Sequence, residues 1–183
     1  MGAEVDEQNT HGAASRRIHV PTVMRFSDLD AYGHVNNVAM LRFFEDARVQ
    51  AFWAGDPDEE GHLDPGPFAD TAVLRSKPGE GTLTVLAHQE IEYLAQIPFL
   101  RSPLDLQLWI GHIGGASIDM YYEIYSPLTA KERVLYARAA TTLVLVDAET
   151  RRPRRISPEE RAAWEPYLGE PLQFRRGSGS GRR

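Results

Sequence analysis

From about Asn37 to Ala54 the apolar residues return with a helical period. Placed at 100° steps, Met40, Leu41, Phe43, Phe44, Ala47, Ala51, Phe52 and Ala54 fall in one broad sector, and Arg42, Asp46 and Gln50 gather opposite. The spacing predicts a helix of about five turns, ended by Gly55-Asp56-Pro57. An apolar sector this wide is better covered by a sheet that curves around the helix than by a flat layer. That requirement sets the rest of the fold.

The remaining segments supply such a sheet. Ile18, Val20, Thr22, Met24 and Phe26 alternate with His19, Pro21, Val23 and Arg25, the period of a half-buried strand, with Pro21 suited to an edge or a strand start. Further alternating runs cover Leu83 to Leu94, Leu104 to Ile110, Ile118 to Ile124 and Val134 to Asp147, and Thr71 to Ser76 is a shorter candidate. Glycines between 111 and 116, and the stretch from Ser126 to Arg133, provide turns for antiparallel hairpins. Asp56 to Phe68 reads as a loop. Strand, long helix, then a run of strands is an α+β layout, with an antiparallel sheet packed around one helix.

Composition narrows the function. A chain of 183 residues fits one domain. A net charge of -6 argues against a nucleic-acid surface. Without cysteine there is no disulfide framework, thiolate zinc site or cysteine nucleophile. The six histidines lack the spacing of a zinc site, so no metal and no cofactor are expected. No apolar run suggests a secretory leader or a membrane span, and a cytoplasmic, soluble protein is the expectation. Residues 1–17 are expected to be disordered, 18–168 to form the domain, and 169–183, ending in RRGSGSGRR, to be a flexible basic tail.

The densest polar cluster, FSDLDAYGHVNN from Phe26 to Asn37, falls where the first strand meets the helix. A helix N-terminus presents unpaired N–H groups and partial positive charge, which suit a developing oxyanion. Asp30 or Asp28 could attack a carbonyl or activate water beside it. The same residue types also serve as turn formers and helix caps. Spacing alone leaves both readings open.

The segment RFSDLDAYGHVNNVAMLRFFEDAR, Arg25 to Arg48, closely resembles the opening motif of the 4-hydroxybenzoyl-CoA thioesterase-like hotdog family. The resemblance continues through HQEIEYL (88–94), GGASI (114–118) and LVLVD (143–147), and spans about residues 18 to 165. It implies a long central helix wrapped by a five- to six-stranded antiparallel sheet, a homodimer or homotetramer, and acyl-CoA bound at the subunit interface. It places the catalytic carboxylate at Asp30, assigns Asp28 to the turn, and gives His34 and Asn37 auxiliary roles, with Asn37 as a possible helix cap. Plant acyl-carrier-protein thioesterases carry a similar stretch with an asparagine where this chain has Tyr32, which argues against transferring their mechanism.

Glu45 is a secondary catalytic candidate, because some branches of the superfamily place the carboxylate on the central helix. An i,i+3 pair of Glu45 with Arg48 is also predicted, since a buried arginine needs a partner. Gly115 and Ser117, with Arg151 and Arg152, are candidates for holding CoA; Arg101, Arg154 and Arg155 are further cations. Trp109, Tyr121, Tyr122 and Tyr125 read as packing residues. Thioester hydrolysis is the leading expectation. The alternative is a non-hydrolytic acyl-CoA or acyl-carrier binding protein, or a dehydratase of the same fold.

Overall fold

The computed structural model describes residues 16–55, 66–77 and 80–175. Most of the expected disordered N-terminal segment, most of the loop after Asp56, and the tail beyond Arg175 lie outside the described residues.

Strand β1 (Ile18–Thr22) is followed by a 3-10 turn (Phe26–Asp28), helix α1 (Asn37–Phe52), strands β2 (Ser76–Lys77), β3 (Glu80–Tyr93), β4 (Leu104–Ile113), β5 (Ser117–Tyr125) and β6 (Leu135–Asp147), and helix α2 (Pro158–Trp164). The six strands form one antiparallel sheet in the order β1-β4-β5-β6-β3-β2. It wraps α1, as the width of the helix's apolar sector requires. Ala39, Met40, Phe43, Phe44, Ala47, Ala51 and Phe52 are buried along α1, and the Phe44 ring lies 5.2 Å from that of Tyr122 on β5. Leu41, expected in the apolar sector, is 39% exposed.

Several boundaries differ from expectation for local reasons. β1 stops at Thr22, before Phe26, because the Asp28 carboxylate accepts from the Arg25 N–H at 2.7 Å and folds residues 25–28 into a turn. Asn36, not Asn37, caps α1: its backbone is extended and its side chain accepts from the Ala39 N–H at 2.7 Å, so Asn37 is the first helical residue. α1 ends at Phe52, two residues early, where the Ala54 N–H turns to the Leu74 carbonyl. The strand expected over Thr71 to Ser76 shrinks to Ser76–Lys77, since Thr71 closes a turn onto the Phe68 carbonyl and its hydroxyl donates to Ala51 O at 2.6 Å.

Helix α2 is absent from the sequence expectation, although its start is a capping box. The Glu160 N–H donates to the Ser157 hydroxyl, the Ser157 N–H donates to the Glu160 carboxylate, and Pro158 opens the helix. Beyond Leu168 the contacts continue. The Gly169 N–H donates to Ile110 O, the Trp109 indole N–H to Glu170 O, and the Arg175 N–H to the Glu92 carboxylate. Trp109 is buried, and its indole N–H finds its acceptor in this segment.

The outer face of the β1–β4 edge is clamped by Asp105, which is 4% exposed. It meets His19 Nδ1 at 2.8 Å, Gln107 Nε2 at 2.8 Å and the Arg133 guanidinium. Burial alone would raise this carboxyl, but hydrogen bonds from Gln107, His19 and Arg133 together outweigh it and hold the group below the usual carboxylate range. A depressed folded-state pKa stabilises above the unfolded value of about 3.9, and the gain is lost as pH falls through the folded value. Asp105→Ala is expected to cost about 2 kcal/mol at pH 7, the partners being partly exposed. In urea unfolding of both proteins that gap should narrow below about pH 4; an equal gap at pH 3 would contradict the account.

Candidate active site

The turn leading into α1 is built on two aspartates with different tasks. Asp28 is buried, accepts from the Arg25 N–H and the Arg42 guanidinium, and its carbonyl takes the Asn36 N–H at 2.9 Å. Its carboxylate is committed to holding the turn, as expected. Asp30 is exposed. Its Oδ1 accepts from the Tyr32 N–H at 2.8 Å and the His34 N–H at 3.1 Å, while its own N–H donates to His34 O. Gly33 closes this loop at a φ of +80°, a conformation that disfavours any side chain. Among the described residues Asp30 Oδ2 has no protein partner.

The other wall comes from the chain after β3. The Leu94 and Ala95 N–H groups both donate to Tyr136 O, at 2.8 and 3.0 Å, and the Val35 N–H donates to Ile97 O at 2.9 Å. His34 bridges Pro98. Between the walls lies an open cavity of about 420 Å³, with Asp30, His34, Asn37 and Met40 on one side and Tyr93 and Gln96 on the other. His34 Nδ1 is buried without a hydrogen-bond partner. Burial pushes the Tyr93 phenol up, so it stays protonated at neutral pH. With Ala39 taken by the Asn36 cap, the amides of Asn37 and Val38 are the open donors of the first helical turn.

Asp30, His34 and Asn37 are thus brought together, while Glu45 is not. It lies two turns along α1, 62% exposed, 3.6 Å from Arg48 in the expected pair. Gly115, Ser117, Arg151 and Arg152 lie toward one end of β5 and β6. Gly115 O accepts the Ile156 N–H, Ser117 stands opposite Val144, and Arg152 O accepts the Asp147 N–H. That group sits at the far end of the sheet. Val144 is seven residues along β6 from Ala137, the partner of Tyr93, a distance of about 23 Å. Within one chain the two groups do not share a cavity. Arg154 is committed to Glu160. Tyr93, Leu94, Ala95 and Gln96 are cavity walls that the sequence reading misses, though the motif ending at Leu94 points to that region.

A curved antiparallel sheet wrapped around one long helix, with a polar turn at the helix N-terminus opening into a cavity, defines the hotdog class of proteins. The chain belongs to the thioesterase-like superfamily, whose family model matches residues 24–164. The structure of a predicted thioesterase from Bacillus stearothermophilus superposes with a TM-score of 0.61 at 20% identity, covering 86% of this chain and all of that one. A thioesterase from Thermus thermophilus, in complex with coenzyme A and Zn, gives 0.55 at 26% identity over 85% of this chain and 96% of its own. The uncharacterized protein YsmA of Bacillus subtilis (strain 168) is 27% identical over 100 residues. The match spans 54% of that relative's length. Among the described residues no group of three or more His, Asp or Glu could hold a metal ion, and no helix is long and apolar enough to cross a membrane.

Proposed function

We propose that this protein hydrolyses an acyl-CoA thioester to the free acid and CoA. The observation that carries the reading is that Asp30, with one carboxylate oxygen unpartnered, and Asn37, the first residue of α1, line the same cavity. Asp30 either attacks the thioester carbonyl or takes a proton from the water that does. The carbonyl oxygen becomes an oxyanion facing the Asn37 and Val38 amides, the C–S bond breaks, and the thiolate leaves and takes the proton given up by water; where Asp30 itself attacked, that water hydrolyses the resulting acyl-aspartyl anhydride, releasing the acid and restoring the carboxylate. His34, with its unpartnered ring nitrogen, positions the thioester or the water. Membership of the superfamily and the CoA held by the Thermus relative support CoA as the carrier. Thiol release from a panel of short, long, branched and aromatic acyl-CoAs tests this; ligand binding without release on any of them would favour the acyl-binding alternative.

We further propose that the working unit is a homodimer paired along β3. Beyond Gly81, where β2 ends its pairing, the outer edge of β3 has no strand partner among the described residues, and Val85, Leu86 and Tyr93 on it are exposed. Such an edge is a template for a second strand. Antiparallel pairing about the middle of β3 sets its Thr82 end against the Tyr93 end of the copy. Thr82 stands opposite Asp147, next to the turn that carries Arg151 and Arg152, so the partner subunit's arginines would approach this chain's cavity. Light scattering after gel filtration should give twice the chain mass and Leu86→Lys should lower it; a monomeric parent at micromolar concentration would remove the proposal.

A further inference from the structure

Among the buried residues of α1 only Arg48 is charged. Its side chain is 9% exposed, its nearest carboxylate is the solvent-facing Glu45 at 3.6 Å, and its Nη1 has no hydrogen-bond partner. The guanidinium lies beside the Tyr122 hydroxyl, which is bonded to Thr141 Oγ1 at 3.0 Å. On the neighbouring strand Gln89 pairs with Thr141 in register, and its Nε2 is likewise buried without an acceptor. Arg48 Nη1 and Gln89 Nε2, donors from different elements, therefore lie near the Tyr122–Thr141 pair, and neither atom has an acceptor among the described residues. Native interiors rarely leave such groups orphaned, least of all a guanidinium.

One flank of α1 leads from the cavity toward this place. Asn37, Leu41, Phe44 and Arg48 follow one flank of α1 at spacings of four, three and four. Tyr93, Ile91 and Gln89 alternate along β3, on the sheet face that also carries their partners Ala137, Ala139 and Thr141 on β6. α1 leans on β1 and β4. As a result Leu41 stays partly exposed and Ile91 and Gln89 are only half-buried, whereas Tyr122 and Ala139 on the same sheet face are fully buried. From Met40 to Arg48 the helix advances about 12 Å, and from Tyr93 to Gln89 the strand covers about 13 Å. An extended chain spans that distance in about nine or ten bonds, three bonds covering 3.8 Å.

We infer that Arg48 and Gln89 form a subsite for a carboxylate at the distal end of the acyl chain. The substrate class is then the CoA monothioester of a medium-chain dicarboxylic acid. A carboxylate supplies both missing acceptors and a negative charge beside a guanidinium whose one carboxylate neighbour, Glu45, faces solvent, which a hydroxyl or ketone would not. The inference rests on the hydrolase reading for its reaction, but the subsite can be tested without turnover.

The experiment compares CoA thioesters of ten- and eleven-carbon acyl chains ending in carboxylate with matched chains ending in methyl. In the parent kcat/KM should favour the carboxylate by about tenfold to a hundredfold, the range of a charge-assisted hydrogen bond. In Arg48→Met that ratio should collapse toward one, in Arg48→Lys it should be partly kept, and in Gln89→Leu it should fall by less. No preference in the parent overturns the inference even if Arg48→Met does not fold, and so does a preference that survives Arg48→Met. Calorimetry with non-hydrolysable thioether analogues of both kinds separates the two readings. If no thioester turns over but the carboxylate-tipped thioether binds in an Arg48-dependent way, hydrolysis is wrong and the subsite stands. Equal binding of the two thioethers removes the subsite whatever the turnover.

Discussion

Asp30→Asn is expected to lower kcat for thioester hydrolysis by about 10² or more, while binding of a non-hydrolysable acyl-CoA analogue changes little. The amide keeps the size of the carboxylate and an oxygen that can accept from the Tyr32 and His34 N–H groups, so the loop closed by Gly33 survives. The change removes the negative charge and the basic Oδ2, which has no protein partner among the described residues. A carboxylate that only shaped the turn would be replaced at no catalytic cost. Unimpaired turnover in a folded Asp30→Asn protein would therefore assign the residue to the turn. Glu45→Gln is the control, because Glu45 lies two helical turns away and outside the cavity. If its turnover collapsed instead, the carboxylate on the helix would be the reacting group.

The sequence is most readable where one period runs for many residues. α1 and strands β4 to β6 announce themselves because their side chains see one environment per face, so local pattern and tertiary burial agree. The motif from Phe26 to Asn37 likewise carries its own geometry: the Asp30 turn is closed by Gly33 and by bonds spanning at most four residues. The opposite wall does not. Leu94 and Ala95 are held by the carbonyl of Tyr136, about forty residues away in sequence, and no local pattern encodes that contact. The CoA candidates fail to join the Asp30 cavity for a related reason. Spacing along the chain says that Ser117 begins a strand, but only the pairing of β5 with β6 shows at which end of the sheet it lies. Arg48 is legible as a buried charge and so is its pairing with Glu45, yet the orphaned donors of Arg48 and Gln89 emerge only in the folded structure.

Helix α2 is the opposite case, a local signal present but unread. Seven residues are too few to hold a helix in water, so capping alone does not explain it; Trp164 does. It is fully buried, its ring lies 5.6 Å from Phe52 at the end of α1, and its indole N–H donates to Thr71 O at 3.2 Å. Thr71 in turn bonds the Ala51 carbonyl, so a single side chain joins the last turn of α1, the segment before β2, and α2. Trp164→Ala is expected to cost about 3–5 kcal/mol, through lost burial and the cavity left behind, a large share of the 5–15 kcal/mol typical of a domain. Trp164→Phe keeps most of the packing and gives up the hydrogen bond, for a smaller loss of about 1 kcal/mol, rising toward 3 if Thr71 O is left unsatisfied. Urea unfolding followed by circular dichroism reads both. Because the Asp30 cavity lies at the other end of α1, the folded fraction of either variant should keep the parent's KM, with turnover falling only as protein unfolds. A Trp164→Ala protein as stable as the parent would mean that α2 rests on the sheet without bracing it.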